Sequence, residues 1–474
     1  MPIGLVLSCV LSAAALVSGG SGNDSSEAAK PPDLLASFSG SGQSEAGADR
    51  SDAPEQGVLQ GEWSYTPSEG WRAAFRGVGD RDSNLYWAEC NAQWVCDIVS
   101  VSSDGRIRFR AALPGTQPSA RFERGHLIVA GDLVIEGIEH GIVRAFRTSD
   151  GSEAWSRDLR ARLCNGARSS DLRSTRVQSL TSGGHGDLFL EVNGDPCASG
   201  SRGHWIVSLS AITGVMRWSR QFDRAPSELI ADERGNLFFR AELLTTDRGY
   251  RPYLMSLSTV GRENWRREAP WASLPVATYR GWLFDANREV WQSATGTQSF
   301  RLPVKYAWGG QRNAYTLIGL DSAFVIGRPR EACPPPGCSL ALYGIDLPTG
   351  QVRFSVVLAG EEQVSITQPI LTSERTILFA QFDESNARLR EFSRDGTEIR
   401  SAPLPSCHYA EAAALVDNRW VAAVDSPAPQ IRAFDVGPKQ PSRTGWTSAG
   451  GNSGCAGLPE SEYRAVAARQ NPRR

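Results

Sequence analysis

From about residue 60 onward, the chain consists of short runs of β-branched and aromatic residues separated by Gly, Asp and Asn turns. No long segment has the hydrophobic period of an amphipathic helix. Short apolar runs bounded by turn residues are typical of β-strands joined by tight connections. The pattern therefore predicts an all-β protein.

One unit recurs along this region: a strand, a tight turn that ends in Gly, and a second strand with an aromatic residue four positions after that Gly. The clearest copies are VRAFRTSDGSEAWSRDL (143–159), IVSLSAITGVMRWSRQF (206–222) and LYGIDLPTGQVRFSVVL (342–358). Weaker copies are centred on Gly105, Gly261, Gly296, Gly396 and Gly437. Successive turn glycines are spaced by roughly the length of one four-stranded propeller blade. The repeats predict a single β-propeller of about eight four-stranded blades, with seven as the alternative.

Six of the eight copies have an aromatic residue at the repeated position. These residues are Phe109, Trp155, Trp218, Trp265, Phe300 and Phe354, and each follows its turn glycine, which is Gly105, Gly151, Gly214, Gly261, Gly296 or Gly350. Each blade of a propeller must bury one face against its neighbour, and a large ring at a fixed place in every blade fills that contact. The six aromatics are therefore predicted to be core. The alternative is a cofactor-stacking set that faces the central channel.

The spacing within the unit resembles that of a known family. In two copies, a small residue is followed by a polar residue two positions on, Gly four later and Trp four beyond that: Ala145, Arg147, Gly151, Trp155, and Ser208, Ser210, Gly214, Trp218. A third copy, Gly344, Asp346, Gly350 and Phe354, retains the Asp and replaces the Trp. Over roughly residues 60 to 455 the chain thus resembles the quinoprotein-like (pyrroloquinoline-quinone repeat) β-propellers. In blade number and expected export it resembles the outer-membrane barrel-assembly lipoprotein type.

The resemblance also suggests how the ring closes. The segment GWTSAGGNSGCAGLP (445–459) is similar to the closing segment of some relatives. We expect it to close the ring together with residues 61–75.

The two ends of the chain differ in composition from the repeats. Residues 1–22 combine an apolar run with small residues and are predicted to be an export signal. Residues 23–60 read as a flexible Ser/Gly/Asp-rich linker, 61–460 as the propeller and 461–474 as a C-terminal tail. The protein is accordingly expected in the periplasm or outside the cell. A lipid-modified Cys9, which would make it a membrane-anchored lipoprotein, is the alternative.

Eight cysteines remain after the export signal, and in an exported protein an even number favours disulfides. Proximity in sequence suggests four pairs: Cys90 with Cys96, Cys164 with Cys197, Cys333 with Cys338, and Cys407 with Cys455. Closely spaced thiolate pairs of the zinc-binding type are absent from the sequence.

Candidate chemistry is sparse. Asp80, Asp82 and Asn84 have the alternating oxygen ligands of a calcium loop, but Leu85 and Asn91 stand where such loops need Gly and Glu, so a solvated turn is favoured. The five histidines occur singly, and no nucleophile motif or phosphate-binding loop is present. His204 and His408 are candidates only for lining a channel mouth. A formal net charge of −2 gives no reason to expect nucleic acid as a partner.

Two functions remain open. The first is an exported, non-catalytic scaffold, expected to be monomeric, that binds an envelope or extracellular protein or a glycan through loops on one face. It predicts no cofactor, no catalytic residue, and membrane contact only through a lipid anchor. The second, which the family resemblance implies, is an oxidoreductase with pyrroloquinoline quinone and calcium, or another exported enzyme, with its site in the central channel. The adjacent cysteines and calcium ligands of many such enzymes are missing from the sequence.

Overall fold

The computed structural model describes residues 61–437. The gaps in this description are 69–70, 81, 92, 94, 114–125, 139–140, 164–174, 184–185, 195–202, 247–248, 270–274, 286–288, 303, 306–314, 319–321, 330–338, 360–363, 368, 384–386, 405–409 and 426–428.

The described strands form eight antiparallel sheets, which are the blades of a propeller. Blade 1 consists of β2 (Trp71–Gly79), β3 (Leu85–Asn91), β4 (Cys96–Val101) and β5 (Ile107–Leu113). Blade 2 consists of β6 (His126–Ala130), β7 (Leu133–Ile138), β8 (Ile142–Arg147) and β9 (Glu153–Asp158). Blade 3 consists of β10 (Thr175–Ser182), β11 (Asp187–Gly194), β12 (Gly203–Ser210) and β13 (Met216–Phe222). Blade 4 consists of β14 (Ser227–Ala231), β15 (Leu237–Leu244), β16 (Tyr250–Leu257) and β17 (Glu263–Glu268).

The remaining blades follow the same order. Blade 5 consists of β18 (Pro275–Tyr279), β19 (Trp282–Asp285), β20 (Glu289–Gln292) and β21 (Thr297–Arg301). Blade 6 consists of β22 (Val304–Lys305), β23 (Tyr315–Ile318), β24 (Ser322–Pro329), β25 (Leu340–Asp346) and β26 (Val352–Ala359). Blade 7 consists of β27 (Ser365–Ile366), β28 (Ile370–Leu371), β29 (Ile377–Phe382), β30 (Ala387–Phe392) and β31 (Glu398–Pro403). Blade 8 consists of β32 (Ala410–Val416), β33 (Arg419–Asp425), β34 (Pro429–Asp435) and β1 (Gly61–Tyr65).

Blades 6 and 7 have five strands because two short strands share the first position. In blade 6 both β22 and β23 pair with β24, and in blade 7 both β27 and β28 pair with β29. All eight blades therefore keep four strand positions. The predicted fold, an all-β propeller of eight four-stranded blades, is confirmed.

The first strands of the blades line the ring and show its closure. β2 contacts both β6 and β32, β10 contacts β6 and β14, and β18 contacts β14 and β23. The contact between β2 and β32 joins blade 1 to blade 8, so the two ends of the propeller meet.

The last blade is completed by the N-terminal strand. β1 pairs antiparallel with β34, with Trp63 opposite Ala433 and Tyr65 opposite Ile431. Residues 61–65 thus take part in the closure, as expected, whereas the residues from Trp71 onward belong to the first strand of blade 1. The segment 445–459 lies outside the described residues.

The hydrophobic core lies between the blades. Second strands are flanked on both faces and are largely buried, as in β3, where the six residues Leu85–Cys90, including Glu89, are all buried. The outer strand β13 instead alternates between exposed and half-buried residues because only one of its faces meets another blade. Phe189 and Ile206 of blade 3, for example, pack with Leu237 and Phe239 of blade 4.

The one helix in the described part of the chain is the four-residue α1 (Arg160–Leu163). None of the described helical structure is long and apolar enough to cross a membrane.

Candidate functional site

The antiparallel order of the strands gives the propeller two unlike faces. Turns between first and second strands, and between third and fourth strands, lie at the same end of each blade. We call this end the tight-turn face. Turns between second and third strands, and the connections from one blade to the next, lie at the opposite end, which we call the long-connection face.

Chain length differs sharply between these faces. On the tight-turn face, third and fourth strands are joined by short turns, such as the one from Ser210 to Met216. On the long-connection face, β11 ends at Gly194 and β12 begins at Gly203, while β24 ends at Pro329 and β25 begins at Leu340. The longer connections between strands thus lie at one end of the ring.

On the tight-turn face, the repeated aromatic of each blade packs under the glycine turn of the next blade. An added Cβ at Gly214 would lie 2.6 Å from the Trp155 ring, and one at Gly296 would lie 2.6 Å from the Trp265 ring. Both glycines have positive φ, 66° and 64°, which L-residues rarely adopt. The indole nitrogens of Trp155 and Trp265 donate to Ala211 O (3.1 Å) and Ser293 O (2.7 Å) in the next blade.

The other predicted repeat residues have the same arrangement. Phe109 contacts Gly151, Trp218 contacts Gly261, Phe300 contacts Gly350 and Phe354 contacts Gly396. The structure therefore places these aromatics in the contacts between blades. We call each such contact a seam and name it by its two blades.

Two seams use residues that the repeat did not reveal. Trp63 of β1 packs under the Gly105 turn and donates to Ser103 O at 3.0 Å, so the N-terminal strand supplies the aromatic of seam 8/1. In seam 7/8 the position belongs to Arg400, whose Nη1 donates to Val436 O at 3.0 Å beside Gly437. Trp63 was missed because it is separated from its blade by almost the whole chain.

Arginines two positions after two of the tryptophans reinforce the seams. Arg157 donates to Gly214 O and Thr213 O, at 3.1 and 2.7 Å. Arg267 donates to Gly296 O and Thr295 O, both at 3.1 Å. The signal for them in the sequence is Trp-x-Arg, which also occurs at Trp218, where Arg220 instead pairs with Glu263 at 3.3 Å.

The weak calcium candidate is a side-chain-capped turn on the tight-turn face. The Asp80 carboxylate accepts hydrogen bonds from the backbone N–H of Asp82 (2.9 Å) and of Asn84 (2.8 Å), and from the Tyr86 hydroxyl (2.6 Å). Asp232 makes the same turn with Asn236 in blade 4. Within the described residues, no group of three or more His, Cys, Asp or Glu side chains is placed to hold a metal ion.

One of the four suggested cysteine pairs lies within the described residues. Cys90 and Cys96 stand opposite each other in β3 and β4 and are joined by a disulfide, with their Cα atoms 4.1 Å apart. The bond staples the β3–β4 hairpin at the long-connection face. The other six residues, Cys164, Cys197, Cys333, Cys338, Cys407 and Cys455, lie outside the described residues, as does His408.

Three buried carboxyl groups have strongly shifted pKa values. Burial raises the pKa of Glu136 to about 8, against the attraction of Arg144 on the neighbouring strand. Burial also raises the pKa of Asp187 to about 6, although Arg217 pairs with it, and that of Asp232 to about 6. Glu136 belongs to the second strand of its blade and Asp187 and Asp232 to the tight-turn face, so these groups are parts of the scaffold.

The long-connection face is well described where blades 3 and 4 meet. Arg224, in the connection between these blades, donates to Glu242 at 2.8 Å and lies over the Tyr250 ring, with its guanidinium carbon 3.9 Å from the ring centre. Leu244, opposite Tyr250 in the β15–β16 hairpin, is 53% exposed. We call Arg224, Glu242, Leu244 and Tyr250 the Arg224 patch.

A chain of hydrogen bonds fixes His204 on the same side of blade 3. Glu191 accepts from Ser179 Oγ (3.1 Å) and from the Asn193 amide nitrogen (3.0 Å). The Asn193 carbonyl oxygen must then face His204 Nδ1, which lies 2.8 Å away and carries the hydrogen. Burial lowers the pKa of His204. The neutral ring therefore keeps Nε2 as a hydrogen-bond acceptor at the end of β12 nearest the long-connection face.

The comparisons with known proteins concern the fold. No family model and no curated protein matches the sequence. BamB from Moraxella catarrhalis is 14% identical, with a TM-score of 0.44 over 80% of this chain and 98% of that chain. A quinohemoprotein alcohol dehydrogenase from Comamonas testosteroni is 12% identical, with a TM-score of 0.48 over 81% and 77%. A europium-containing methanol dehydrogenase is 9% identical, with a TM-score of 0.45 over 80% and 93%.

Proposed function

We propose that this propeller is an exported, non-catalytic scaffold that binds another protein through its long-connection face. The observation that carries the proposal is the contrast between the two faces. Aromatic and arginine side chains secure the tight turns against the next blade, whereas the other face has the long connections and the Arg224 patch. A rigid ring with variable connections at one end is the usual arrangement of a binding scaffold.

The Arg224 patch has the composition of a protein-binding surface. Tyr and Arg are enriched among the residues that contribute most to protein interfaces, and here the guanidinium is already stacked and paired. Such preorganisation lowers the entropy lost on binding. The exposed Leu244 adds apolar surface beside them, which favours a protein over a glycan as the partner.

A position-specific cross-linking experiment tests the proposal. A photoreactive p-benzoylphenylalanine replaces Leu244 on the long-connection face, or, as the matched control, the 63%-exposed Val260 on the tight-turn face. We expect one discrete, protease-sensitive adduct from the first position in envelope extracts, diminished by excess wild-type protein and by Arg224→Glu. The control position should give none.

Three outcomes would overturn the proposal. Adducts from the Val260 position alone would mean that the other face binds. An adduct that resists protease and is removed by glycosidases would identify a glycan. Stoichiometric, saturable binding of pyrroloquinoline quinone with calcium, followed by quinone absorbance, would favour the oxidoreductase hypothesis.

A further inference from the structure

The Tyr250 ring covers one face of the Arg224 guanidinium. The guanidinium carbon lies 3.9 Å from the ring centre, yet the Arg224 side chain is still 51% exposed. This distance is well within the about 6 Å over which a ring attracts a cation. Because the ring shields one side, the exposed area lies on the side turned away from Tyr250. A planar guanidinium that is stacked on one face can accept a second ring on the other.

Two other arginines show that this arrangement is not a general property of the Arg–aromatic contacts in the molecule. Arg390 lies 4.8 Å from the centre of the Phe392 ring, but its side chain is only 12% exposed. Arg266 has a 55% exposed side chain, but it lies 5.9 Å from the centre of the Tyr253 ring. Arg224 combines the close contact of the first with the exposure of the second.

The charge of Arg224 is already compensated within the patch. Its Nη1 donates to Glu242 Oε2 at 2.8 Å, and the Glu242 side chain is mostly buried. A carboxylate of a partner would compete with Glu242 for the guanidinium and would be repelled by it. An aromatic ring can stack while Glu242 retains its hydrogen bond. The electrostatics of the patch therefore favour an aromatic group over an acidic one.

The hairpin that contains Tyr250 also provides apolar surface. Leu244 stands directly opposite Tyr250 in the pairing of β15 with β16, and Glu242, two residues earlier, shares its face of the hairpin. Leu244 therefore lies on the same side as the ring and the ion pair, and it is exposed. A ring that stacks on Arg224 can bury part of its apolar surface against such a side chain.

From these features we propose that the Arg224 patch recognises an aromatic side chain of its protein partner, which stacks on the exposed face of the Arg224 guanidinium to form a ring–guanidinium–ring sandwich. This inference rests on the proposed function, because it names the group that the partner presents to the long-connection face. Tyr250 is then a positioning residue that fixes the plane of the guanidinium, and Glu242 fixes its orientation within that plane. A single exposed contact of this kind is weak, so the sandwich acts mainly on specificity.

Short peptides test the choice of a ring directly. Three peptides, Gly-Ser-Gly-X-Gly-Ser-Gly with Trp, Leu or Glu at X, are titrated into the intact protein labelled at its Leu and Val methyl groups. Nuclear magnetic resonance signals of the Leu244 methyls report binding to the patch, and those of Val260 report non-specific contact with the other face. We expect the Trp peptide to bind about three- to fivefold more tightly than the Leu peptide. The Glu peptide should bind no more tightly than the Leu peptide.

A conservative substitution separates stacking from charge. Arg224→Lys keeps the positive charge beside Glu242 but removes the planar surface, so the preference for the Trp peptide over the Leu peptide should fall below about twofold. Arg266→Lys is the matched control, since Arg266 belongs to the same blade and is exposed to a similar extent. It should leave the preference unchanged.

The failure of this proposal can be told apart from the failure of the proposed function. Equal affinities for the Trp and Leu peptides, or a preference that Arg224→Lys leaves intact, would overturn the sandwich. Tighter binding of the Glu peptide would mean that the guanidinium recognises a carboxylate. A protein adduct from the Leu244 position together with equal peptide affinities would keep the binding face and reject only the aromatic group. The absence of any adduct from that position would reject the binding face itself.

Discussion

Seam 4/5 and seam 7/8 occupy the same place in the repeat but join their blades in different ways. In seam 4/5, Trp265 lies on Ser256, packs under Gly296 and donates to Ser293 O. In seam 7/8, Arg400 lies opposite Glu391 and reaches Val436 O beside Gly437. The difference teaches that the repeat preserves the position of the contact between blades but not its chemistry.

The largest expected effect comes from removing the aromatic ring of a seam. Trp265→Ala should lower the free energy of unfolding by about 3 to 5 kcal/mol, because it leaves a cavity under the Gly296 turn and removes a hydrogen bond. Urea denaturation measures the change. Gln298→Ala, at an exposed position of β21, is the control and should change stability by about 0.5 kcal/mol or less. A loss below about 1 kcal/mol for Trp265→Ala would mean that the aromatics do not hold the seams.

Much of the fold was predictable because the repeat is local. The turn glycine and its aromatic are four residues apart, so Gly214 and Trp218 can be recognised without knowing what either contacts. Their partners are not local. Trp218 packs under Gly261 of the next blade, and Trp63 belongs to a blade whose other strands end at Asp435. Closure by β1 therefore left no periodic signal in the sequence.

Replacing the turn glycines tests the same difference between seam 4/5 and seam 7/8, this time by changing the turn and not the side chain beneath it. Gly296→Ala introduces strain at φ 64° and places a Cβ 2.6 Å from the Trp265 ring, with an expected loss of about 2 to 4 kcal/mol. Gly437→Ala adds strain at φ 81° and, among the described residues, its Cβ would meet only Arg400, at 3.7 Å, so about 1 to 2 kcal/mol is expected. Both are read from urea midpoints. Equal losses would show that the ring contributes nothing beyond backbone strain.

The candidate site was less predictable than the fold. Arg224 and Tyr250 are separated by a whole hairpin, and their stacking depends on how blades 3 and 4 meet. His204 was noticed only by its place beside Trp205, and its fixed tautomer depends on Asn193 and Glu191 in another strand. Contacts that cross strands carry no fixed spacing in a single sequence.

The aromatic seams are not uniformly apolar, and pH offers a way to show it. Glu136 and Val134 share one face of β7, and Val134 packs toward blade 1. The pKa of Glu136 is raised by burial from 4.5 to about 8. Between these two pH values the folded protein keeps the Glu136 proton, whereas the unfolded chain has lost it. The contribution of protonated Glu136 to stability is therefore fully present below pH 4.5 and is lost as pH rises through about 8.

Glu136→Gln removes this dependence. Asp187 and Asp232 titrate near pH 6, so the interval from about pH 6 to about pH 8 belongs mainly to Glu136. Urea midpoints of the wild type should fall across that interval, and those of the variant should stay nearly level. Parallel curves for the two proteins would contradict the protonated state of Glu136.

The smallest expected effect concerns Arg267, which lies beside the Trp265 ring in seam 4/5. Arg267→Gln removes two hydrogen bonds to the Gly296 turn, and about 0.5 to 1.5 kcal/mol should be lost. Arg266→Gln, which removes an exposed pair with Glu263 and a 5.9 Å contact with the Tyr253 ring, is the matched control and should cost less than about 0.5 kcal/mol.

Combining Arg267→Gln with Trp265→Phe then asks whether ring and guanidinium act together. Both side chains bind the same turn, since Trp265 donates to Ser293 O while Arg267 donates to Thr295 O and Gly296 O. If they hold the turn jointly, losing one lets it shift and weakens the other, so the losses will not add. Additive losses would mean that each anchors the turn alone, and Arg400 in seam 7/8 would then be comparable to Arg267 without its tryptophan.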